Sequence, residues 1–342
     1  MLQTLLTSLL VVFYGVEDHQ SLGSLLVVDK VNNLVSIVDL DAGKEIAKVP
    51  TGKNPHEVAV SPNGKSAVVS NYGAQDPGNS LSVIDVINKT NTKTIDLRDY
   101  KRPHGLEFIN DNEVLVTSEG TQTLLKVNIK SGKINEVAKT NQATSHMVAY
   151  SKTDRKAYVA NIKDGTVSVI DVSANKLVNQ IILKPGIEGI DVSPDGKELW
   201  VANRNDSTVA VVNTTSLQQE ATLPAHQIAF RVKFIPDGRH VVVSNGMSGN
   251  LSVYDVSKRA LIADIDFYNL NNGVENTGKV HNKENPPVPV GIAAHGNGKF
   301  VYIANANYGL VAVVDTTTWS VVAKIETGGS PDGLYWGKAK VN

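Results

Sequence analysis

The chain has 342 residues, 41% of them hydrophobic, a formal net charge of −1 and no cysteine. The near-neutral balance supplies none of the broad positive field that draws nucleic acid or an anionic membrane, and a chain without cysteine has no disulfides, thiolate metal sites or cysteine nucleophiles. Length alone allows two or three domains, so internal organisation has to decide.

Residues 1–22 come first. Met1 to Gly15 is apolar but too short to span a bilayer comfortably. It is similar to the apolar core of a secretory signal, although no positive residues precede it and no small-x-small cleavage site follows. A signal-like segment is expected here, with an extra strand or helix packed on the domain as the alternative. No later stretch has the length and apolarity of a membrane span, so no integral membrane segment is expected.

From residue 23 to 342 a single domain is expected, because one phrase recurs throughout. Pro55-His56-Glu57-Val58-Ala59-Val60-Ser61-Pro62-Asn63-Gly64 returns as Pro103-His104-Gly105-Leu106, Ser145-His146-Met147-Val148 and Ile187-Glu188-Gly189-Ile190. Later copies are Phe230-Arg231-Val232, Val290-Gly291-Ile292 and Asp332-Gly333-Leu334. Counted from position 56, the steps are 48, 42, 42, 42, 60 and 42 residues. A period of this length, holding several short strands, marks a β-propeller. Seven copies predict an all-β, seven-bladed propeller of four-stranded blades.

Each repeat has the same grammar. An inner strand follows the His or Glu position and ends at a turn such as Ser61-Pro62-Asn63-Gly64 or Pro236-Asp237-Gly238. The second strand ends in Asn71, Asn161, Asn203, Asn245 or Asn305, where the side chain is expected to satisfy loop backbone and to tolerate positive φ. The third ends in Asp39, Asp85, Asp171, Asp255 or Asp315, expected as turn formers. β-Branched residues dominate, as sheets packed on both faces require, and no helix is expected.

The spacing of these Asn and Asp residues places strands two and three of a blade within Leu25–Leu40, with no inner strand before them. A spare inner strand, Asp332–Trp336, stands near the other end. N-terminal strands and C-terminal inner strand are therefore expected to complete one blade together and close the ring, with Tyr335 and Trp336 packed in it. Two insertions break the period: Ala74–Gly78, read as a lengthened loop, and Phe267–Pro289, which holds His281.

These motifs resemble the YVTN-type seven-bladed propellers, exported proteins of bacteria and archaea. Tyr158-Val159-Ala160-Asn161 and Trp200-Val201-Ala202-Asn203 approximate the motif that names the family, over a resemblance running from about Leu25 to Trp336. It implies the fold and a periplasmic or extracellular location, and it brings no activity with it.

The chemistry is expected where the outer strand of one blade hands over to the inner strand of the next, on one face of the ring. Circular closure makes Asp332 a neighbour of His56, so consecutive blades present Asp332, His56, His104, His146 and Glu188 to one cup, with Arg231 able to swing in. Glu119, Arg204 and Tyr72, at the ends of second strands, are candidate members. Neutral imidazoles and a carboxylate suit a divalent transition metal, Zn, Fe, Mn or Cu, with His56, His104, His146 and Glu188 as the expected ligands. Histidine also titrates near neutrality and can move protons. His19, His226, His240, His281 and His295 fall out of register and are expected in surface or core roles. Phosphate-cradling glycine loops, Gly-x-Ser-x-Gly and His-Glu-x-x-His are absent.

The resulting expectation is a monomeric extracytoplasmic propeller that binds a small-molecule ligand, with a metal, at the channel mouth, or that binds a protein partner. A metal-dependent oxidoreductase, lyase or lactone hydrolase using the same cluster is one alternative. A scaffold with an idle channel is the other. No catalytic residue is assigned.

Overall fold

The structure, a computed structural model, describes residues 21–271 and 285–341. The signal-like segment, His19 and His281 therefore lie outside the described residues, apart from Ser21 and Leu22. Among the described residues, the chain forms seven four-stranded antiparallel sheets arranged as blades around a channel. Among the described residues the lone helical element is a single 3₁₀ turn, Tyr268–Asn271.

Burial follows strand position. Second strands such as Glu198–Asn203 and Phe300–Asn305 are buried along almost their whole length, because neighbouring blades cover both faces. Outer strands such as Thr90–Asp96 are largely exposed. Apolar clusters bridge adjacent blades: Trp200 is fully buried and meets Phe234 and Tyr254 of the next blade edge-on, at ring-centroid distances of 6.0 and 5.8 Å. Its indole N–H donates to Glu198 Oε2 at 2.9 Å, which satisfies the polar atom of a side chain otherwise in apolar surroundings.

Closure occurs as the strand spacing predicts. Pro331–Gly337 pairs antiparallel with Ser24–Asp29, so both ends of the described chain build one blade. Trp336 Nε1 and His295 Nε2 both bond the carbonyl of Leu22, at 2.8 and 2.9 Å, and fasten the seam.

The feature that sets the site is a bulge in every inner strand. Pro55 pairs with Asn71 and Val58 with Val69, so His56 and Glu57 together face Ser70. The same two-against-one register places His104 and Gly105 opposite Thr117, and the other blades repeat the irregularity. A bulge re-aims side chains that strict alternation would send to opposite faces. Here the first bulge residue points to the channel mouth and the second into the channel just beneath. Strand-two hydroxyls serve the displaced amides: Glu57 N donates to Ser70 Oγ, Gly105 N to Thr117 Oγ1 and Arg231 N to Ser244 Oγ, at 3.1, 2.8 and 3.2 Å.

Two local expectations need correction. The insertion at Ala74–Gly78 is part loop and part strand: Ala74–Asp76 form the loop, while strand two runs on to Gly73 and strand three begins at Pro77. The backbone hydrogen bonds of a hairpin absorb the extra residues, and Tyr72 is raised on that extension. The strand-two asparagines have no positive φ. They act through side chains instead, as where Asn71 Oδ1 accepts from Gly52 N at 2.9 Å. Tyr335 packs, as expected, against the apolar cluster that holds Leu26 and Val28 of the closing blade, and it also lines the channel. The third-strand aspartates behave as expected: Asp171 Oδ1, for example, accepts the amides of Ser173 and Ala174 at 2.9 and 2.8 Å. His226, paired with Asp264, and the buried His295 take the surface and core roles expected of them.

Candidate functional site at the channel mouth

The structure gathers His56, His104, His146, Glu188, Arg231 and Asp332 around one mouth, and Tyr72, Glu119 and Arg204 join them. His56 stacks on Tyr72, with ring centroids 4.4 Å apart, and meets His104 edge-on at 5.2 Å. His104 in turn stacks on His146 at 3.5 Å. His146 Nδ1 bonds Glu119 Oε1, and its Nε2 lies 3.4 Å from Glu188 Oε1. Tyr72 donates its hydroxyl to Glu119 Oε2 at 2.8 Å. Glu188 receives Arg204 Nη1 at 2.7 Å from the solvent side and Arg231 Nη1 at 2.9 Å from below. Asp332 pairs with Lys30 at 3.2 Å and stands 3.8 Å from His56.

Four participants are not marked by the repeat's first position. Glu57 holds Arg231 Nη2 at 2.6 Å across the channel, and together they floor the cup. Lys30 neutralises Asp332, Asn54 contacts His56 Nε2 at 3.0 Å, and Arg102 lies over the Tyr72 ring, 4.9 Å from its centroid. A usable signal existed for Glu57. At the second bulge position the blades carry Glu57, Gly105, Met147, Gly189, Arg231, Gly291 and Gly333, so the ring has one acid and one base. Gly333 is required there: a Cβ would lie 2.6 Å from Glu57 Oε2 and 2.5 Å from the His56 carbonyl.

Electrostatics separate the three histidines. Burial pushes His56 down to about 4 against the pull of Asp332. Burial, with His146 and His56 beside it, holds His104 well below its ordinary value. Both are neutral at physiological pH. Burial also opposes charge on His146, but the hydrogen bonds its ring donates to the Glu119 and Glu188 carboxylates outweigh it and raise the imidazole to about 9. Burial likewise works against the Glu188 carboxylate, and His146, Arg231 and Arg204 overcome it to hold its pKa far below the usual range. With His146 charged, four cations (Lys30, His146, Arg204, Arg231) balance four carboxylates (Glu57, Glu119, Glu188, Asp332).

This arrangement has a stability consequence. Raising His146 from 6.5 to about 9 on folding contributes stability that is complete below pH 6.5 and lost as pH climbs towards 9. The amount is on the order of 3 kcal/mol. Urea unfolding of Glu119→Gln should show a flatter alkaline limb between those limits than the parent protein. An unchanged limb would mean that Glu119 does not hold the proton on His146.

The donor atoms of His104, Glu119 and His146 lie within 4.8 Å of one another, and these residues form the candidate metal group. Of the four expected ligands, His104 and His146 are in it. His56 sits with Tyr72 and Asp332, and Glu188 is engaged by two arginines. Two imidazoles and a carboxylate are a fitting set for a divalent transition metal with an open position. The Nδ1 atom of His104 is buried and has no hydrogen-bond partner among the described residues, as has Arg231 Nε.

Comparison with known proteins bears on the fold and family. No curated protein matches the sequence. A protein of unknown function from Desulfotomaculum acetoxidans DSM 771 has a similar structure, with TM-score 0.74 and 12% identity over 94% of this chain and 100% of that one. Kuenenia stuttgartiensis hydrazine synthase gives 0.69 and 17%, over 84% and 90% of the two chains. The dihydro-heme d1 dehydrogenase NirN, in complex with DHE, gives 0.63 and 15%, over 90% and 64%. At these identities the likeness is one of fold. The model described as Lactonase, 7-bladed beta-propeller matches residues 25–266, which is most of the propeller, and the chain belongs to that family.

Proposed function

We propose that this propeller binds a small polar ligand at the channel mouth, with a divalent transition metal held by His104, Glu119 and His146. The supporting observation is the buried, unpartnered Nδ1 of His104 beside a charge network that is otherwise closed on itself. Leaving such an atom unsatisfied costs about 1–3 kcal/mol, and a metal or a ligand donor removes that cost. Neutral imidazole is the form that ligates, and burial keeps His104 in it. Arg204, with 40% of its side chain exposed, presents unused guanidinium hydrogens to the mouth for a carboxylate or carbonyl. A periplasmic or extracellular setting belongs to the same reading, supported by the apolar start of the chain and the YVTN-like motifs.

Lactone hydrolysis is the second reading, favoured by the family match. A bound metal would supply Lewis-acid polarisation and hydroxide near neutral pH. The chain's own part would be to orient the lactone carbonyl with Arg204 and to shuttle a proton through His56, whose ring reaches solvent more than the other two: its side chain is 22% exposed, against 12% for His146.

Cobalt(II) titration followed by visible absorption tests the metal. One equivalent should bind with a nitrogen-rich spectrum, His104→Ala should weaken it at least a hundredfold, and His240→Ala should leave it unchanged. Binding must displace the His146 proton, so affinity should rise about tenfold per pH unit up to about 9. No spectral change at any pH would overturn the metal site. Turnover of simple lactones by the cobalt or zinc form, lost in His104→Ala, would select the enzyme.

A further inference from the structure

Beneath the Glu57–Arg231 floor the channel widens into a cavity of about 270 Å³ that no histidine of the mouth lines. Its outlet lies on the opposite face of the ring, beside the exposed Lys152 and Lys338. The bulges set what faces this space. Two residues below the floor position the blades present Glu107, Asp191, Lys233 and Tyr335, and the remaining three carry alanine: Ala59, Ala149 and Ala293. Of the alanines only Ala293 lines the cavity, Ala59 and Ala149 being packed in the cores between blades, and the four larger residues supply the chemistry.

Most of the charge here is already matched. Lys233 Nζ lies 3.2 Å from Asp191 Oδ2, which also accepts the Phe234 amide at 2.8 Å. Arg231 is shared between Glu57 and Glu188. Glu107 differs: its carboxyl makes no hydrogen bond and no close ion pair among the described residues, although it lines the cavity. Burial pushes it up to about 7, with Lys233 opposing and Asp191 adding to the rise, and Lys152 acting weakly the other way. The Tyr335 hydroxyl also has no hydrogen bond among the described residues, and its ionisation is suppressed first by the neighbouring charge of Glu107. Leu106, Ile190 and Leu334 supply apolar wall.

We propose that this lower cavity is a second binding site, separate from the mouth, for a small organic ammonium ion whose head pairs with Glu107 and whose hydrocarbon body lies against Leu106, Ile190, Leu334 and the Tyr335 ring. The sign follows from pairing: among the residues inside the cavity, the charge without a close partner is negative, so a cation completes it and an anion does not. Lys152 and Lys338 stand at the solvent-exposed outlet, where salt screens their repulsion. An ammonium head also gains from the face of an aromatic ring, and a buried carboxyl with a raised pKa regains its charge when a cation arrives.

n-Butylammonium chloride is a suitable probe, followed by methyl NMR of the whole protein. Saturable shifts are expected at the methyl groups of Leu106, Ile190 and Leu334. Affinity should fall at least tenfold in Glu107→Gln, which preserves the shape of the neutral acid. It should be unaffected in His104→Ala, so failure here is distinct from failure at the mouth. In the unaltered protein, affinity should rise several-fold between pH 5.5 and 8 as Glu107 ionises, which tests the idea even if the variant does not fold. Absence of shifts at these methyls, equal binding to Glu107→Gln, pH-independent affinity, or tighter binding of n-butyrate would each overturn the site.

Discussion

Removal of residues 330–342 should abolish the cooperative unfolding of the ring. The deleted segment contains the inner strand Pro331–Gly337, which pairs along Ser24–Asp29 and packs against the inner strands of both flanking blades. Leu334 and Val341 are 5% and 1% exposed, so their apolar surface is lost along with that of Trp336. Burial of one large apolar side chain contributes about 1.5–3 kcal/mol. The ladder to Ser24–Asp29 goes with it, leaving the unpaired edge of a wholly buried strand. The sum is about 5 kcal/mol or more, comparable with the total stability of a typical domain, about 5–15 kcal/mol. Calorimetry should show no sharp transition, and size-exclusion chromatography should show aggregation. A truncated protein that melts within a few degrees of the full chain would mean that closure is not what holds the blades together.

The second large effect is expected at Arg231. Its guanidinium is buried between Glu57 and Glu188, which are themselves almost wholly buried. Burial alone would favour loss of the Arg231 charge, but the two carboxylates hold it protonated more firmly than usual. Substituting Arg231→Met leaves two carboxylates in the channel with one counter-charge fewer, and breaking a buried pair in this way costs about 3–5 kcal/mol. The triple variant Glu57→Gln, Arg231→Met, Glu188→Gln should recover most of that loss, because no unpaired charge remains in the buried floor and Arg204, released from Glu188, has a side chain 40% exposed to solvent. Both should be read by urea unfolding at pH 7. A small loss in the single variant, or no recovery in the triple, would show that the floor is held by packing rather than by charge. The triple variant should still lose ligand binding at the mouth, since Glu188 also fastens Arg204 and His146.

How much of this was legible beforehand depends on the distance over which each feature is encoded. Asp171 and Asn161 act on residues a few positions away, and their turn and strand-end roles could be read from the local phrase. The cup was legible through its period: one residue per blade at position 56 and its equivalents, brought together by closure. The members Glu119, Arg204 and Tyr72 could be named because they end second strands on the same face. Their partners could not, because Tyr72 gains its height from an extended hairpin that looks like a loop in the sequence. The metal group shows the same limit. Equal spacing treats His56, His104, His146 and Glu188 alike, whereas the chain places Glu119 against His146 and two arginines against Glu188.

By itself the sequence determined the all-β class, seven blades, their strand order and the joining of the two ends, since each of these follows from a period or from a strand left over. The tertiary structure alone decided which charges meet. Glu57 and Arg231 lie 174 residues apart and touch because bulges turn two successive residues of each inner strand into the channel. A bulge adds one residue to a ladder without altering the hydrophobic pattern on either side, so alternation read along the chain assigns those side chains to the wrong face. The floor of the cup and the cavity beneath it both follow from that one-residue shift.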